Sequence, residues 1–129
     1  WTAAPAPASV TVRAGAGQGG SARVTVIWAD GAIKGAWLQV TVKAGGNIGL
    51  ADDYVFYFGN ARGEVGNSAS DAIVNATDML VTRNAAKGSA LIGDPCDHDR
   101  DQAVGAADIL VSRDHATSPA TMLRLITVP

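Results

Sequence analysis

The chain has a single cysteine, Cys96, in 129 residues, so no disulfide can form within it. One thiol assigns no redox compartment. Aromatic residues make up only 5%, and Trp1, Trp28 and Trp37 are three of them. With so few large side chains and 15 glycines, short strands, tight turns and a thin core are expected. Neither sign of charge prevails: the net charge is −2, and Lys and Arg are scattered rather than clustered. That gives no reason to expect nucleic acid or an anionic lipid surface as a partner. No apolar run approaches the roughly 20 residues needed to cross a bilayer. Trp1 to Pro7 lacks the basic start and apolar centre of a signal peptide and reads as the start of a mature or excised piece. Enzyme signatures are missing too: there is no Gly-rich phosphate loop, no His-Glu-x-x-His and no nucleophile elbow. Asp52-Asp53 makes a poor carboxylate pair for sugar hydrolysis, because neighbours on a strand point to opposite faces. The expectation is a protein that is not an enzyme.

What is present falls into four stretches. Residues 1–9 are rich in Pro and Ala and read as an extended arm. Residues 10–59 read as β-structure. Val10-Thr11-Val12-Arg13 alternates; Val24, Val26 and Trp28 share a face of a second strand; Leu38, Val40 and Val42 alternate with Gln39, Thr41 and Lys43 in a third. Tyr54-Val55-Phe56-Tyr57-Phe58 is apolar on both faces, which predicts a central strand. Gly15 to Gly20, Asp30-Gly31 and Gly45-Gly46-Asn47 supply turns. Four such strands make only half a sandwich. Residues 119–129, with Thr121 to Val128 reading as a strand, are expected to return to this sheet or to pair with a neighbouring molecule.

Residues 60–118 differ in kind and carry an internal repeat offset by 30 positions. Asp71 matches Asp101, Val74 matches Val104, Asp78 matches Asp108, Leu80-Val81 matches Leu110-Val111, and Arg83 matches Arg113. Each half is a polar loop followed by a helix of about ten residues, and the two helices are expected to pack together because neither half buries its apolar face alone.

The second loop is the stronger site. Asp97, Asp99, Asp101 and Asp108 stand at positions 1, 3, 5 and 12 of a twelve-residue loop, with the carbonyl of Ala103 at position 7 and apolar Val104 at position 8. A hard cation such as calcium takes six to eight oxygen ligands, and this spacing wraps them around it. Gly105 at position 9 has no side-chain oxygen, so a water is expected there. The first loop offers Asn67, Asp71, Asn75 and Asp78 with the carbonyl of Ile73. Ala69 leaves its position 3 empty, with Glu64 or a loop carbonyl as substitutes, so this site is expected to be the weaker of two calcium sites. Asn75-Ala76-Thr77-Asp78 also fits a helix N-cap that needs no metal, and Asn75-Ala76-Thr77 is a glycosylation sequon. Both loops lack the glycine usual at position 6, where Ala72 and Gln102 stand. Gly93-Asp94-Pro95 excludes a helix entering the second loop directly, so each unit is a loop followed by a helix, half of an EF-hand.

This duplicated unit, with Asp97-x-Asp99-x-Asp101-x-x-Val104-x-x-x-Asp108 and its degenerate partner ending Val74-Asn75-Ala76-Thr77-Asp78, resembles the dockerin family over residues 60–118. More closely, it resembles the dockerin-like C-terminal regions of large secreted planctomycete-type bacterial proteins. There a β-rich stretch ending like Asp53-Tyr54-Val55-Phe56-Tyr57-Phe58-Gly59-Asn60 leads into the repeat. The resemblance implies an F-hand calcium domain with two ions, a secreted or cell-surface location, and a role in docking proteins together, in the best-known members through a cohesin partner. Those members often carry a Ser/Thr pair near positions 10 and 11; here Ala76-Thr77 and Ala106-Ala107 stand there.

The remaining chemistry-bearing residues have plainer readings. His98 and His115 are expected to be surface histidines and Cys96 a packing residue; Arg83 and Arg113 are expected to cap helix carbonyls. Trp28, Trp37 and Tyr57 exposed in one row would mark a carbohydrate-binding sandwich, but alternation puts several of them inside. The expected whole is an α+β chain: a small antiparallel half-sandwich, then the duplicated calcium loop–helix domain, then a C-terminal strand. Its expected role is a secreted calcium-binding structural module for protein–protein assembly, as in an extracellular filament or surface layer. The alternative is a docking module of a larger secreted enzyme or adhesin with a cohesin-like receptor.

Overall fold

Alternating Val and Thr make strands of the first two β-segments. In the computed structural model, which describes residues 1–46 and 48–127, β1 (Ser9–Arg13) pairs antiparallel with β2 (Arg23–Ile27). The register sets Val10 opposite Val26 and Val12 opposite Val24, so four valines share one face. The connection turns through glycines with positive φ at Gly15, Gly19 and Gly20. The Pro/Ala arm does not stand free. The Trp28 indole N–H donates to the Pro5 carbonyl at 2.7 Å, and Ala8 N–H extends the ladder to Ile27 O at 2.7 Å. These elements belong to the first of two units, residues 1–34, in which no residue is buried.

The second unit, residues 35–129, holds everything else. β3 (Trp37–Val42) pairs antiparallel with β4 (Tyr54–Gly59). Leu38, Val40 and Val42 face Phe58, Phe56 and Tyr54 across the ladder, and the three aromatics form a row with ring centroids 5.8 and 5.3 Å apart. Asp53 closes the connection by accepting from Lys43 Nζ at 2.7 Å and from Ala44 N–H at 2.8 Å. Asn47, within the expected Gly45-Gly46-Asn47 turn, lies outside the described residues.

The sheet arrangement corrects two expectations. The strands form two separate two-stranded sheets rather than one half-sandwich, and β4 is not central, because β3 is its sole partner among the described residues. Its double-sided apolar character has another cause. The aromatic row occupies one face. On the other, the Trp37 ring lies so close to Gly59 that an added Cβ would come within 3.0 Å of it. The β-region expected over 10–59 is thus divided between two units, and the β3–β4 hairpin falls in the same unit as the loop–helix repeat.

The C-terminal segment does come back to this hairpin. The Trp37 indole donates to Arg124 O at 2.7 Å, and Leu123 lies beside Gly59. It does so without strand pairing: residues 123–127 form no strand, since a side chain rather than a sheet edge takes up the Arg124 carbonyl. Val128, the end of the expected strand, lies outside the described residues.

α1 (Ala76–Asn84) and α2 (Ala106–Asp114) pack against each other as the repeat requires. The N-cap reading at Asn75 holds. Its Oδ1 accepts from Thr77 N–H at 2.7 Å, and Asp78 returns the favour by accepting from Asn75 N–H at 2.8 Å. The buried helix positions, however, are Asp78 and Thr82 on α1 and Asp108 and Ser112 on α2, while Leu80 and Leu110 stand about half exposed. The apolar core is instead built from the loops: Val65, Cys96 and Val104 cluster with Ala85 and Ala90, and Ala72 and Val74 are also buried.

Candidate metal centre

The second loop wraps because two of its residues accept the left-handed conformation. Arg100 (φ 65°) and Gln102 (φ 74°) are the non-glycine residues with positive φ among those described. Gln102 thereby supplies the turn that a glycine at position 6 would otherwise make. No equivalent turn occurs at Ser70 or Ala72 in the first loop.

That wrapping draws Asp97, Asp99 and Asp108 together, with one carboxylate oxygen from each lying within 4.8 Å of the others. Asp97 and Asp108 are 1% and 2% exposed, whereas Asp99 is open to solvent. Backbone donors hold the group in place. Asp108 Oδ1 accepts from His98 N–H at 2.6 Å and Asp99 N–H at 3.3 Å, and its Oδ2 accepts from Gly105 N–H at 2.8 Å. Burial raises the Asp108 pKa, but these three N–H groups together with the N–H of Asp108 itself outweigh it and hold the carboxyl below its ordinary value. Asp97 Oδ2 accepts from Gln102 N–H at 3.2 Å, while Asp97 Oδ1 is buried with no hydrogen-bond partner. Two carboxylates at this separation repel by roughly 3 kcal/mol at an effective dielectric near 20. A buried carboxylate oxygen left bare beside two more makes a group that could hold a cation.

Asp101 stands outside the group of three, its Oδ1 turned back to Ala103 N–H at 2.8 Å. The first loop is arranged differently. Asp78 Oδ1 accepts from Val65 N–H at 3.2 Å and from the Asn67 amide at 3.1 Å. Asp71 accepts from Ile73 N–H at 3.2 Å and Ser68 Oγ at 3.0 Å, and the Asn75 amide donates to the Ile73 carbonyl at 3.4 Å. The candidate ligands of this loop are bonded to one another, and among the described residues they form no second cluster of three acidic groups. Glu64, the substitute for Ala69, accepts from Gly66 N–H at 2.9 Å through Oε2, and its Oε1 is buried without a partner.

Several residues around the centre carry more than the sequence suggested. His98 is not a surface histidine: its Nε2 lies 3.2 Å from Thr82 Oγ1 and 3.1 Å from Ser112 Oγ, between the two helices. Burial pushes its pKa below the ordinary value; Asp108 opposes this and Arg100 adds to it. The Ser112–His98 pair has no open side for a substrate, since Ser112 is fully buried and donates to Gly63 O at 3.0 Å. Cys96 is a packing residue, its thiol pushed up by burial first and by Asp94 second, which makes it a weak nucleophile. Arg113 pairs with Asp114 at 2.7 Å rather than capping carbonyls. Neither Trp28 nor Trp37 is a fully exposed aromatic. Each is half-buried and gives its indole N–H to a main-chain carbonyl.

One signal for these contacts was present in the repeat: Thr82 and Ser112 are 30 positions apart, small hydroxyl residues at equivalent, fully buried positions of the two helices. No helix is long and apolar enough to cross a membrane among the described residues. No family model, curated protein or solved structure matches the chain.

Proposed function

We propose that this chain is a secreted, non-enzymatic, calcium-binding structural module of the dockerin-like kind, whose metal-fixed loops brace a surface for protein–protein assembly, as in a subunit of an extracellular filament or surface layer. One observation carries the reading: Asp97 Oδ1 is buried and bare, with Asp99 and Asp108 oxygens within 4.8 Å. The donors are all hard carboxylate oxygens, a set that suits calcium over softer metals. Asp97, Asp99 and Asp108 would hold the ion, with Asp101 and the Ala103 carbonyl next along the loop. The first loop, with Asn67, Asp71, Ile73, Asn75 and Asp78, would form the weaker site. Calcium would neutralise the crowded carboxylates and fix the loop on which Cys96 and Val104 enter the core, so that binding and rigidity rise together.

A second reading, a docking module for a cohesin-like receptor on a larger secreted protein, is favoured by the helix surface. Leu80 and Leu110, equivalent in the repeat, are 51% and 45% exposed, and Ala76, Met79, Leu80, Arg83 and Ile109 line a shallow groove of about 390 Å³.

Calcium titration followed by calorimetry and light scattering tests both. Saturable uptake with a higher melting temperature and growing particle mass supports the assembly module. Uptake by a particle that stays monomeric and retains a cohesin-like receptor supports the second reading. A melting curve and particle mass unmoved at millimolar calcium overturn the first.

A further inference from the structure

The two halves of the repeat are joined asymmetrically. Thr82 on α1 and Ser112 on α2 are equivalent in the repeat, both fully buried, and both hydroxyls lie against one atom, the Nε2 of His98. His98 belongs to the second loop, between Asp97 and Asp99, and its own N–H is given to Asp108 Oδ1 at 2.6 Å. A single residue therefore touches the carboxylate group, the helix of its own half and the helix of the other half. The first loop has no counterpart. The equivalent position is Ser68, whose hydroxyl stays within its own loop, 3.0 Å from Asp71 Oδ2 and 3.1 Å from Ser70 Oγ.

We infer that His98 is a relay through which filling of the second loop orders α1 as well as α2, a side-chain link from loop to opposite helix that the first loop lacks. The inference rests on the calcium reading of the Asp97–Asp99–Asp108 group. His98 is a positioning residue in this scheme: it bonds no metal and acts by holding two helices to a loop whose shape the metal sets. Fixing the loop fixes the backbone at His98, and the ring then offers Thr82 and Ser112 a stationary hydrogen-bond partner. Coupling of this kind is reciprocal. Removing the Thr82 hydroxyl, on a helix that belongs to the other half, weakens calcium uptake by the second loop.

The test is hydrogen–deuterium exchange of the full chain with and without calcium chloride, read separately on the amides of Met79–Arg83 and Ile109–Arg113, with calorimetry on the same samples. In the wild type, calcium slows exchange in both helices. In His98→Ala it slows α2 alone, and the protection of α1 falls by about tenfold, the scale of one or two hydrogen bonds. His98→Gln, whose amide reaches a similar place, restores the response of α1. Calcium protection of α1 that persists undiminished in His98→Ala overturns the relay. If that variant does not fold, Thr82→Val decides in its place, because it removes the α1 bond to His98 and leaves the Ser112 bond to His98 in place. Calorimetry that shows no calcium uptake by the wild type overturns the calcium reading and the relay with it. Uptake with an unaltered α1 response overturns the relay alone.

Discussion

Thr117 holds Val74 at both of its main-chain groups: Val74 N–H donates to Thr117 Oγ1 at 2.9 Å, and Thr117 N–H donates to Val74 O at 2.8 Å. Thirty residues along, Lys87 and Val104 are joined the same way through main-chain bonds of 2.9 and 3.0 Å. Each loop is thus stitched to the residue that follows the other half's helix. The buried valine at position 8, 1% exposed in one loop and 3% in the other, is the knot. The two stitches differ in one respect. Thr117 uses a side chain and Lys87 does not.

That difference predicts unequal mutational costs. Thr117→Val keeps the shape but leaves a buried N–H unpaired, and is expected to lower stability to urea by about 1–3 kcal/mol. Thr117→Ser keeps the hydroxyl and stays near the wild type. Lys87→Ala leaves its main-chain bonds to Val104 intact, removes an ion pair with Asp94 whose lysine end is open to solvent, and is expected to shift the urea midpoint less than Thr117→Val does. Equal midpoints for Thr117→Val and Thr117→Ser would show that the hydroxyl bond contributes nothing.

Gly63 is expected to tolerate nothing larger. Its φ is 89°, and a Cβ there would sit 2.8 Å from Ser112 Cα and 3.2 Å from Ser112 N, against rigid helix backbone. Gly66 has φ 76° but open space around it. Gly66→Ala therefore carries only backbone strain, about 1–2 kcal/mol. Gly63→Ala adds the clash, about 1–3 kcal/mol more, and loosens the Ser112 bond to the Gly63 carbonyl. Thermal unfolding of the two variants side by side gives the comparison, and similar melting temperatures would contradict the close approach.

Much of the loop–helix region was legible because a duplication states its own equivalences. Asp78 and Asp108, Val74 and Val104, and the Asn75 cap all follow from spacing, and the structure buries the first two pairs and uses the third. The carboxylate group followed as well, except that Asp101 turns back on its own loop. What the chain pattern hides is pairing at long range. Alternation says that Tyr54 to Phe58 is extended, but an apolar strand reads the same whether its second face meets another strand or, as here, lies on the side of a tryptophan and a C-terminal leucine. His98 was hidden for a related reason: a loop position that faces no ligand can still face inward, and only the fold brings Thr82 and Ser112 to it.

Asp97→Asn is expected to change the sign of its effect with calcium. Without the ion, the wild type keeps a carboxylate oxygen buried and unpartnered next to two more acidic groups. The amide removes one charge from that group, so the variant is more stable than the wild type by about 1 kcal/mol. With millimolar calcium the order reverses, because the wild type gains the binding free energy and the variant largely loses it. Asp101→Ala, outside the group of three, keeps more of the calcium-induced rise in melting temperature than Asp97→Asn does. Melting curves that cross nowhere between chelator and calcium would remove the case for a metal at this loop.

Asp94 sets the acid side of stability next to this core. Its carboxyl is held below the ordinary value, first by its hydrogen bond with Lys87 and then by the Cys96 N–H, which donates to Oδ1 at 3.0 Å. A carboxyl with a lowered folded-state pKa contributes its stability above the ordinary carboxylate value and loses it as pH falls through the folded value. Lys87 is raised by the same pair, so its share is present below the ordinary lysine value and lost as pH climbs through the folded one. Both shares are therefore complete across the neutral range. The wild type is expected to exceed Asp94→Asn in stability by a constant margin near pH 7, and the margin is expected to close as pH drops below the carboxylate range. Urea midpoints of the two proteins from acid to neutral pH give that margin directly, and a gap that stays constant at every acid pH would show that the Asp94 carboxylate carries none of it.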